Sequence, residues 1–561
     1  SGAPRRKDSY SPGGEKGHRP DRAAIVYSNR AREAFADTPI ILGGMEASLR
    51  RFAHYDFWQN KVRASVLADC GADLLVYGEG ENTLLEIASL LQKGVPIRKM
   101  KGIRGTCYMA SADENLPNEV QQVLRGGSGD SDKALVLPSY EQVAASKKAF
   151  AQAFILQYRE QDPFWGRTVI QPHGGKRLMV QNPPGRPLTT GELDRVYALP
   201  YTGAWHPSYR EKGGVPALDE VRFSITSHRG CFGGCSFCSI TFHQGRIIRS
   251  RSKRSIVKEV EAMAASPDFK GYIHDIGGPT ANFRKPACKK QGTHGSCRDR
   301  ECLFPEPCKN LQTDHGEYLD ILKAAESVPG VKKVFIRSGI RFDYLLRDTD
   351  NRFFGELCRK HISGQLKVAP EHVSGRVLRL MHKPGPEVYE KFRLKYEAFN
   401  RENKLKQYLV PYFISGHPGS TLQDAVELAV YMKKTGFVPD QVQQFYPTPG
   451  TISTCMYYTG IHPETGEEVY TAKSKKETAM QRALLQFYKP QNRALVKEAL
   501  RLTGNEELIG FLLSPRAERS AVSTAGEEKQ RRKDRPARAR KEKPFRKQKN
   551  EHQQKRNKKQ G

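Results

Sequence analysis

The stretch Arg229-Gly230-Cys231-Phe232-Gly233-Gly234-Cys235-Ser236-Phe237-Cys238 decides the reading of this chain. Three cysteines at CxxxCxxC spacing, with an aromatic ahead of the last, can supply thiolates to three irons of a [4Fe–4S] cube. The fourth iron then lacks a local protein ligand. Gly230, Gly233 and Gly234 let such a loop wrap the cube and offer backbone N–H groups to sulfide. Two blander readings stay open, a zinc knuckle and buried free thiols. A mononuclear zinc site wants four protein ligands, and His228 or His243 is at hand to complete one.

Outward from this loop the pattern is regular. Apolar strand candidates stand at 221–226, 271–276, 333–337, 365–369, 408–414 and 441–446. Helical stretches lie between them at 255–265, 316–327, 352–361, 374–400 (broken by Pro384 and Pro386) and 421–435. The alternation predicts a parallel sheet with right-handed crossovers. Six units make a partial barrel, with chemistry at the carboxyl ends of the strands. The cysteine loop follows the first strand, where that rule puts a site.

Upstream, Pro39–Gly44 and Asp73–Gly78 read as buried strands closed by glycine. After them Glu79–Leu91 carries Leu84, Leu85, Ala88 and Leu91 at helical spacing. This predicts an α/β layer whose first strands are missing from a trimmed start. Residues 93–220 mix short strands and helices and take no separate fold; Gly126–Asp132 reads as a loop. The predicted divisions are a polar N-terminal segment (1–22), an N-terminal α/β domain (23–200) and a barrel (201–446) with a Cys-rich insertion (285–312). A region at 447–514 follows, read as a helical cap behind the sheet with helices near 475–488 and 490–501, and then a basic tail at 515–561.

Composition bounds the rest. The 561 residues are 38% hydrophobic, and no run approaches the roughly 18 apolar residues of a membrane span. No secretory signal is visible at the start, which opens Ser1-Gly2-Ala3-Pro4 without methionine. Eleven cysteines, seven of them in two clusters, suit metal binding in a reducing cytoplasm better than a disulfide framework. Of the net charge of +31, residues 515–561 carry +12, leaving +19 for residues 1–514. Such a tail cannot bury a core and is expected to be disordered. It can contact RNA or ribosomes by neutralising phosphates, or merely solubilise. Phe545 is its one aromatic, which leaves little for base stacking.

The cysteine loop, aromatic included, resembles the radical SAM superfamily, in which the open iron binds the amine and carboxylate of S-adenosylmethionine (SAM). Two further stretches narrow the resemblance: Gly43-Gly44-Met45-Glu46-Ala47-Ser48-Leu49-Arg50-Arg51-Phe52-Ala53-His54-Tyr55-Asp56 and His462-Pro463-Glu464-Thr465-Gly466-Glu467-Glu468-Val469-Tyr470. With them the chain resembles the YgiQ family of radical SAM proteins, from about Ser9 to about Gly510. The resemblance implies an α/β architecture: a partial (β/α)6 radical SAM barrel, a truncated N-terminal α/β domain similar to cobalamin-binding modules, and a small C-terminal helical region. It implies Cys231, Cys235 and Cys238 as cluster ligands. It also implies reductive cleavage of SAM to a 5′-deoxyadenosyl radical, and an electron donor such as flavodoxin or ferredoxin. The family's substrate is unassigned, and no catalytic acid or base is named. A cobalamin-ligating Asp-x-His-x-x-Gly would be sought ahead of residue 1, so cobalamin is not predicted. An RNA- or ribosome-binding iron–sulfur protein, or a radical modifier of tRNA or ribosomal protein, is the alternative raised by the basic tail.

Further residues follow from the strand ends. Gly277-Gly278-Pro279 closes the second strand where the superfamily carries a Gly-Gly-Glu-like turn for the SAM amine; Pro279 replaces the acid. Glu371, ending the fourth strand, can bond SAM, or serve as a helix N-terminal acid. Gly416 ends the fifth, where glycine permits close approach to a ligand and Ser420 or Thr421 can cap the next helix. Arg337, Ser338 and Arg341 can bind an anion or form a solvated face. Cys288, Cys297, Cys302 and Cys308 lie in a polar, Gly-rich loop and read as a second metal site, either a second iron–sulfur cluster or zinc. Cys70, Cys107, Cys358 and Cys455 read as inert, and isolated His361 and His382 as packing residues.

Overall fold

The computed structural model describes residues 7–126, 129–437, 439 and 442–514. Its N-terminal sheet has six strands, β1 (Ile41–Leu42), β2 (Leu74–Val76), β3 (Thr106–Ser111), β4 (Ala134–Val136), β5 (Thr168–Pro172) and β6 (Arg177–Gln181), in the order β1-β2-β3-β6-β5-β4. The β1–β2 and β4–β5 pairs are parallel and the other three pairs antiparallel. Residues 93–220, given no fold from sequence, thus complete the sheet begun by the two predicted strands. Side chains alternate between its faces, as strand geometry requires. Leu74 and Val76 pack on one face, Leu75 and Tyr77 on the other.

Helix α1 (Glu81–Gln92) turns Thr83 and Ile87 inward and leaves Leu84, Leu85 and Leu91 exposed, opposite to the leucine face expected. Helical periodicity fixes the spacing of a buried stripe but not its phase; here the sheet takes the β-branched stripe. Helix α2 (Lys147–Arg159) covers the other face with Phe150, Ala151, Ala153 and Phe154. Residues 7–22, read as a loop or frayed end, are docked: Gly13 N–H donates to Gly214 O (2.8 Å), and Arg19 pairs with buried Asp8 (2.7 Å).

The second half holds the predicted parallel strands: β7 (Ser224–Thr226), β8 (Tyr272–Ile273) with β9 (Asp275–Gly277), β10 (Lys333–Val334), β11 (Gln365–Glu371), β12 (Tyr408–Ser415) and β13 (Gln443–Gln444). The second predicted strand divides at His274. β9 pairs with β7 and β8 with β10, all parallel, and β11-β12-β13 form a parallel ladder. Between β10 and β11, Ile336 N–H donates to His361 O (3.0 Å) without a ladder. Helix α3 (Ile240–Gln244), not expected from sequence, follows the cysteine loop, and the predicted helices fall close to their places: α4 (Lys253–Ala264), α5 (Gly316–Glu326), α6 (Arg352–Glu356), α7 (Gly375–Leu380), α8 (Pro386–Glu402) and α9 (Leu422–Thr435). Ile225, Ile273, Ile276, Val334, Leu366 and Val368 form the core with Val260, Tyr318, Phe353 and Phe392.

The C-terminal region is not simply a cap behind this sheet. Helix α10 (Ile452–Thr459), absent from the sequence expectation, buries Ile452, Cys455 and Met456 in the N-terminal core beside α2. Helices α11 (Lys475–Leu485) and α12 (Arg493–Leu502) pack against α9, as a cap would. The described residues up to Leu512 form one compact unit. No helix among the described residues is long and apolar enough to cross a membrane. The basic tail, with the RNA reading placed on it, lies outside the described residues.

Candidate functional site

The cysteine loop leaves the carboxyl end of β7 and is held from both sides. Gly230 has φ +84° and Gly234 φ +66°, a region costly for residues with a Cβ. A Cβ on Gly230 would stand 2.4 Å from Ile247 O, and one on Gly234 2.3 Å from Glu301 Oε2. Cys231 N–H donates to Gly245 O (3.1 Å), Cys238 N–H to Cys235 O (3.0 Å) and Gly233 N–H to Cys231 Sγ (3.4 Å). Burial pushes the Cys238 thiol up to about 12, with neighbouring Cys235 adding to the effect, and raises Cys231 in the same way. Without a cation these sulfurs stay protonated; a bound metal removes that penalty.

Ser236 anchors the far side of the loop. Its N–H donates to Met381 O (3.1 Å), and its hydroxyl donates to Leu380 O (2.7 Å) and lies 2.8 Å from Ser453 Oγ of α10. His417 Nδ1 donates to Pro418 O (2.7 Å), which leaves Nε2 to accept from the Ser453 hydroxyl (2.7 Å). Burial holds the His417 pKa down to about 3, so the ring is neutral. Arg341, read as a possible anion site, is buried against the loop. Its Nε donates to Asp343 Oδ1 (2.7 Å), and its Nη1 reaches Gly233 O (3.3 Å) and Cys235 Sγ (3.4 Å).

The strand-end residues gather around this loop. A Cβ on Gly277 would meet Ser338 Oγ, and one on Gly278 the His228 ring, so the turn through Pro279 has no room for side chains there. Thr280 links that turn to the loop: its carbonyl lies 3.0 Å from His228 Nε2, and its hydroxyl 3.6 Å from Cys231 Sγ. His228 Nδ1 lies 2.8 Å from Ser227 Oγ, so both ring nitrogens are engaged away from the thiols. Ser338 Oγ and the Arg337 backbone N–H bind Asp275, which engages the serine, while the Arg337 side chain is exposed. Glu371 is buried at φ +70°, beside an irregularity of register in β11. A positive φ at a residue other than glycine marks strain of the kind found at functional sites. Burial raises its carboxyl, with Lys383 and Arg341 opposing, and its charge in turn acts on Cys238. The N-cap of α7 is Ser374, so Glu371 is not the helix-capping acid of the bland reading. Gly416, at φ +72°, has open space where a Cβ would stand. Thr421 caps α9 through a capping box with Asp424.

The Cys-rich insertion packs onto the same loop. Cys288, Cys297, Cys302 and Cys308 line one small cavity. Arg246 reaches across to the carbonyls of Cys297 (3.1 Å) and Arg300 (2.9 Å), and Trp165 Nε1 donates to Ser296 O (3.0 Å). Glu301 sits against Gly234 and binds His382 Nδ1 (3.1 Å). His382 is no idle packing residue. It has φ +54°, stacks on Phe304 at 4.3 Å, and keeps a raised pKa because Glu301 outweighs the opposing effect of burial. Ligand atoms of His382, His462 and Glu464 lie within 4.8 Å of one another. His462 Nδ1 accepts N–H bonds from Glu464 and Thr465, both at 3.4 Å, which ties its ring into the turn. Phe304, His382 and Glu464 line a cavity of about 290 Å³ with Tyr158, Trp165 and Phe242. Nothing in the sequence singled out His382 or Glu301, since their partners are distant along the chain.

The stretch 43–56 also bears on this region. Arg51 is fully buried; its Nε donates to Gln181 Oε1 (2.6 Å), and its guanidinium lies 4.1 Å from the centre of the Phe242 ring in α3. Burial lowers its pKa. Cys107, Cys358 and Cys455 are buried with raised pKa values, in keeping with inert packing, and His361 Nδ1 donates to Val334 O (2.8 Å) in the core.

A parallel α/β half with a three-cysteine loop at a strand's carboxyl end defines a class that the comparisons also point to: residues 1–224 match the radical SAM N-terminal family model. Residues 440–561 match a domain of unknown function, DUF3362. A UPF0313 protein of Clostridium botulinum (strain 657 / Type Ba4) is 55% identical over 506 residues, covering 90% of this chain and 77% of that protein. A UPF0313 protein of Clostridium perfringens (strain 13 / Type A) is 54% identical, covering 90% and 74%. The chain belongs to the UPF0313 family. Among solved structures, the radical SAM methyltransferase TsrM from Kitasatospora setae, with cobalamin and a [4Fe–4S] cluster bound, is 14% identical at TM-score 0.39 (85% of this chain, 81% of that chain). The cobalamin-dependent SAM radical enzyme OxsB, with aqua-cobalamin and SAM bound, is 11% identical at TM-score 0.44 (87% and 60%).

Proposed function

We propose that this UPF0313 protein, as its YgiQ-like stretches imply, is a radical SAM enzyme whose cluster is held by Cys231, Cys235 and Cys238. One observation carries the reading: three thiols stand on one glycine-shaped loop at the carboxyl end of β7, with the Gly233 N–H on Cys231 Sγ (3.4 Å) and Arg341 Nη1 on Cys235 Sγ (3.4 Å). The zinc alternative loses its first recruit, because His228 has both nitrogens engaged.

A cluster bound there supplies the electron that cleaves SAM to methionine and a 5′-deoxyadenosyl radical. The chain's own groups do the positioning. Arg341 donates to Cys235 Sγ and carries a positive charge, held by Asp343, beside the sulfur. Gly277, Gly278 and Pro279 form the turn read as facing the SAM amine; Gly277 O already accepts the Ser227 N–H (2.7 Å), which leaves the carbonyls of Gly278 and Pro279 for that role. Glu371 offers a buried carboxylate, and Gly416 an open approach. The six parallel strands are read as the partial (β/α)6 barrel, and a flavodoxin or ferredoxin as the donor. Cobalamin has no part in the proposal.

Anaerobically reconstituted protein with dithionite and SAM is expected to release 5′-deoxyadenosine, and the Cys231→Ala, Cys235→Ala and Cys238→Ala variants to release none. A reducible cluster that yields no 5′-deoxyadenosine would falsify the assignment.

A further inference from the structure

The four cysteines of the insertion are unused by that chemistry, yet the fold brings them to one cavity. Their gaps of 8, 4 and 5 residues match no common zinc module. All four are free thiols lining a single void, with Ala287 and Leu311 as apolar wall and Lys290, Arg300 and Glu301 as its charged residues. Gln291 is buried beside them. Its Oε1 accepts the Ala287 N–H (2.8 Å), so its amide group must point the other way, and Nε2 donates to Cys302 Sγ (3.4 Å). An N–H aimed by the protein at a cysteine sulfur is a means of tuning iron–sulfur clusters.

The cavity also adjoins the first loop. Cys302 and Cys231 pack against one buried cluster that includes Phe232, Phe283 and Leu303. Phe232 and Phe283 stack at 3.8 Å within it. Glu301, next to Cys302, occupies the space beside Gly234, and Arg246 spans from the end of α3 to the insertion's backbone.

We propose that Cys288, Cys297, Cys302 and Cys308 hold a second, fully cysteine-ligated [4Fe–4S] cluster, set one layer of side chains from the first. Lacking an open iron, it binds no SAM. Its place suits one-electron exchange: a low-potential donor such as a flavodoxin reduces it, and it returns to the oxidised state as the first cluster takes the electron. The occupancy of the second site is independent of the enzymatic reading; its nearness to a first cluster rests on it.

The test counts irons and zinc per chain in the full protein reconstituted anaerobically with iron and sulfide. About eight irons are expected in the parent and about four in the Cys231→Ala/Cys235→Ala/Cys238→Ala variant, given one cube per four-iron site. The reduced paramagnetic signal of that variant should be unmoved by SAM. The Cys288→Ser/Cys302→Ser variant should retain about four irons, with a signal that SAM shifts. Should that variant fail to fold, the triple alanine variant decides alone. Zinc in the triple variant, or no iron there, overturns the second cluster. The spectrum of the fully reduced parent should be broader than the two variant spectra added together; an unbroadened spectrum overturns the adjacency, while a missing 5′-deoxyadenosine product would bear only on the first site.

Discussion

Gly234→Ala probes how the two cysteine loops are joined. Gly234 sits at φ +66°, where a residue with a Cβ pays roughly 1–2 kcal/mol. The new methyl would also stand 2.3 Å from Glu301 Oε2. That carboxylate ends a flexible side chain and can swing aside, but only by releasing His382 Nδ1, 3.1 Å away. His382 is buried, Glu301 raises its pKa, and the acceptor is a carboxylate, so the lost bond is charge-assisted, about 1.5–3 kcal/mol. Gly234→Ala should therefore cost about 2.5–5 kcal/mol locally, and Glu301→Ala in the parent about 1.5–3 kcal/mol. The double variant should cost no more than Gly234→Ala alone, because the methyl has already displaced the carboxylate. The predicted coupling is the whole Glu301 contribution, about 1.5–3 kcal/mol. Hydrogen exchange in the metal-free protein, read on peptides covering 230–240 and 378–384, reports this local opening. Losses that simply add in the double variant would refute the contact between the loops.

Phe283→Ala removes a ring stacked on Phe232 beneath both cysteine sets and should cost about 3–5 kcal/mol, lowering iron retention at both; loss confined to one set would contradict the shared packing. In α1, Ile87→Ala should cost about 2–5 kcal/mol and Leu85→Ala less than about 0.5 kcal/mol, since Ile87 is 1% and Leu85 69% exposed. Equal losses in urea unfolding would restore the leucine face read from sequence. Burial raises the Glu79 carboxyl from 4.5 to about 7, although Arg229 opposes it. The folded state then holds this proton more tightly than the unfolded one, so the contribution to stability is full below the unfolded value and is lost as pH climbs through about 7. The urea midpoint of Glu79→Gln should gain on the parent steadily between pH 5 and 7.5; a gap that stays constant or narrows over that interval removes the argument.

What the sequence made legible follows from which forces are local. The parallel half was readable because its strands are buried runs punctuated by helices whose starts and stops are chemical, as where Thr421 and Asp424 cap α9 or Pro386 opens α8. The cysteine spacings were readable because a cluster's ligands must lie close along a short loop. Other features depend on partners far along the chain. Strands β3, β5 and β6 join the first sheet through antiparallel pairings and β4 through a parallel one, a mixed order that no short-range pattern specifies. Helix α10 lends Ile452 and Met456 to a core built more than 270 residues upstream, from Leu42 to Met179. Glu301 and His382 carry no motif, yet their bond closes the gap between the insertion and the helix after β11. The unread residues are thus the ones that fasten the cysteine loops into the rest of the protein. A metal centre's ligands can be recognised locally, while the groups that tune and brace it are assembled by tertiary structure, as Arg341 at Cys235 and Gln291 at Cys302 illustrate in the two cysteine sets.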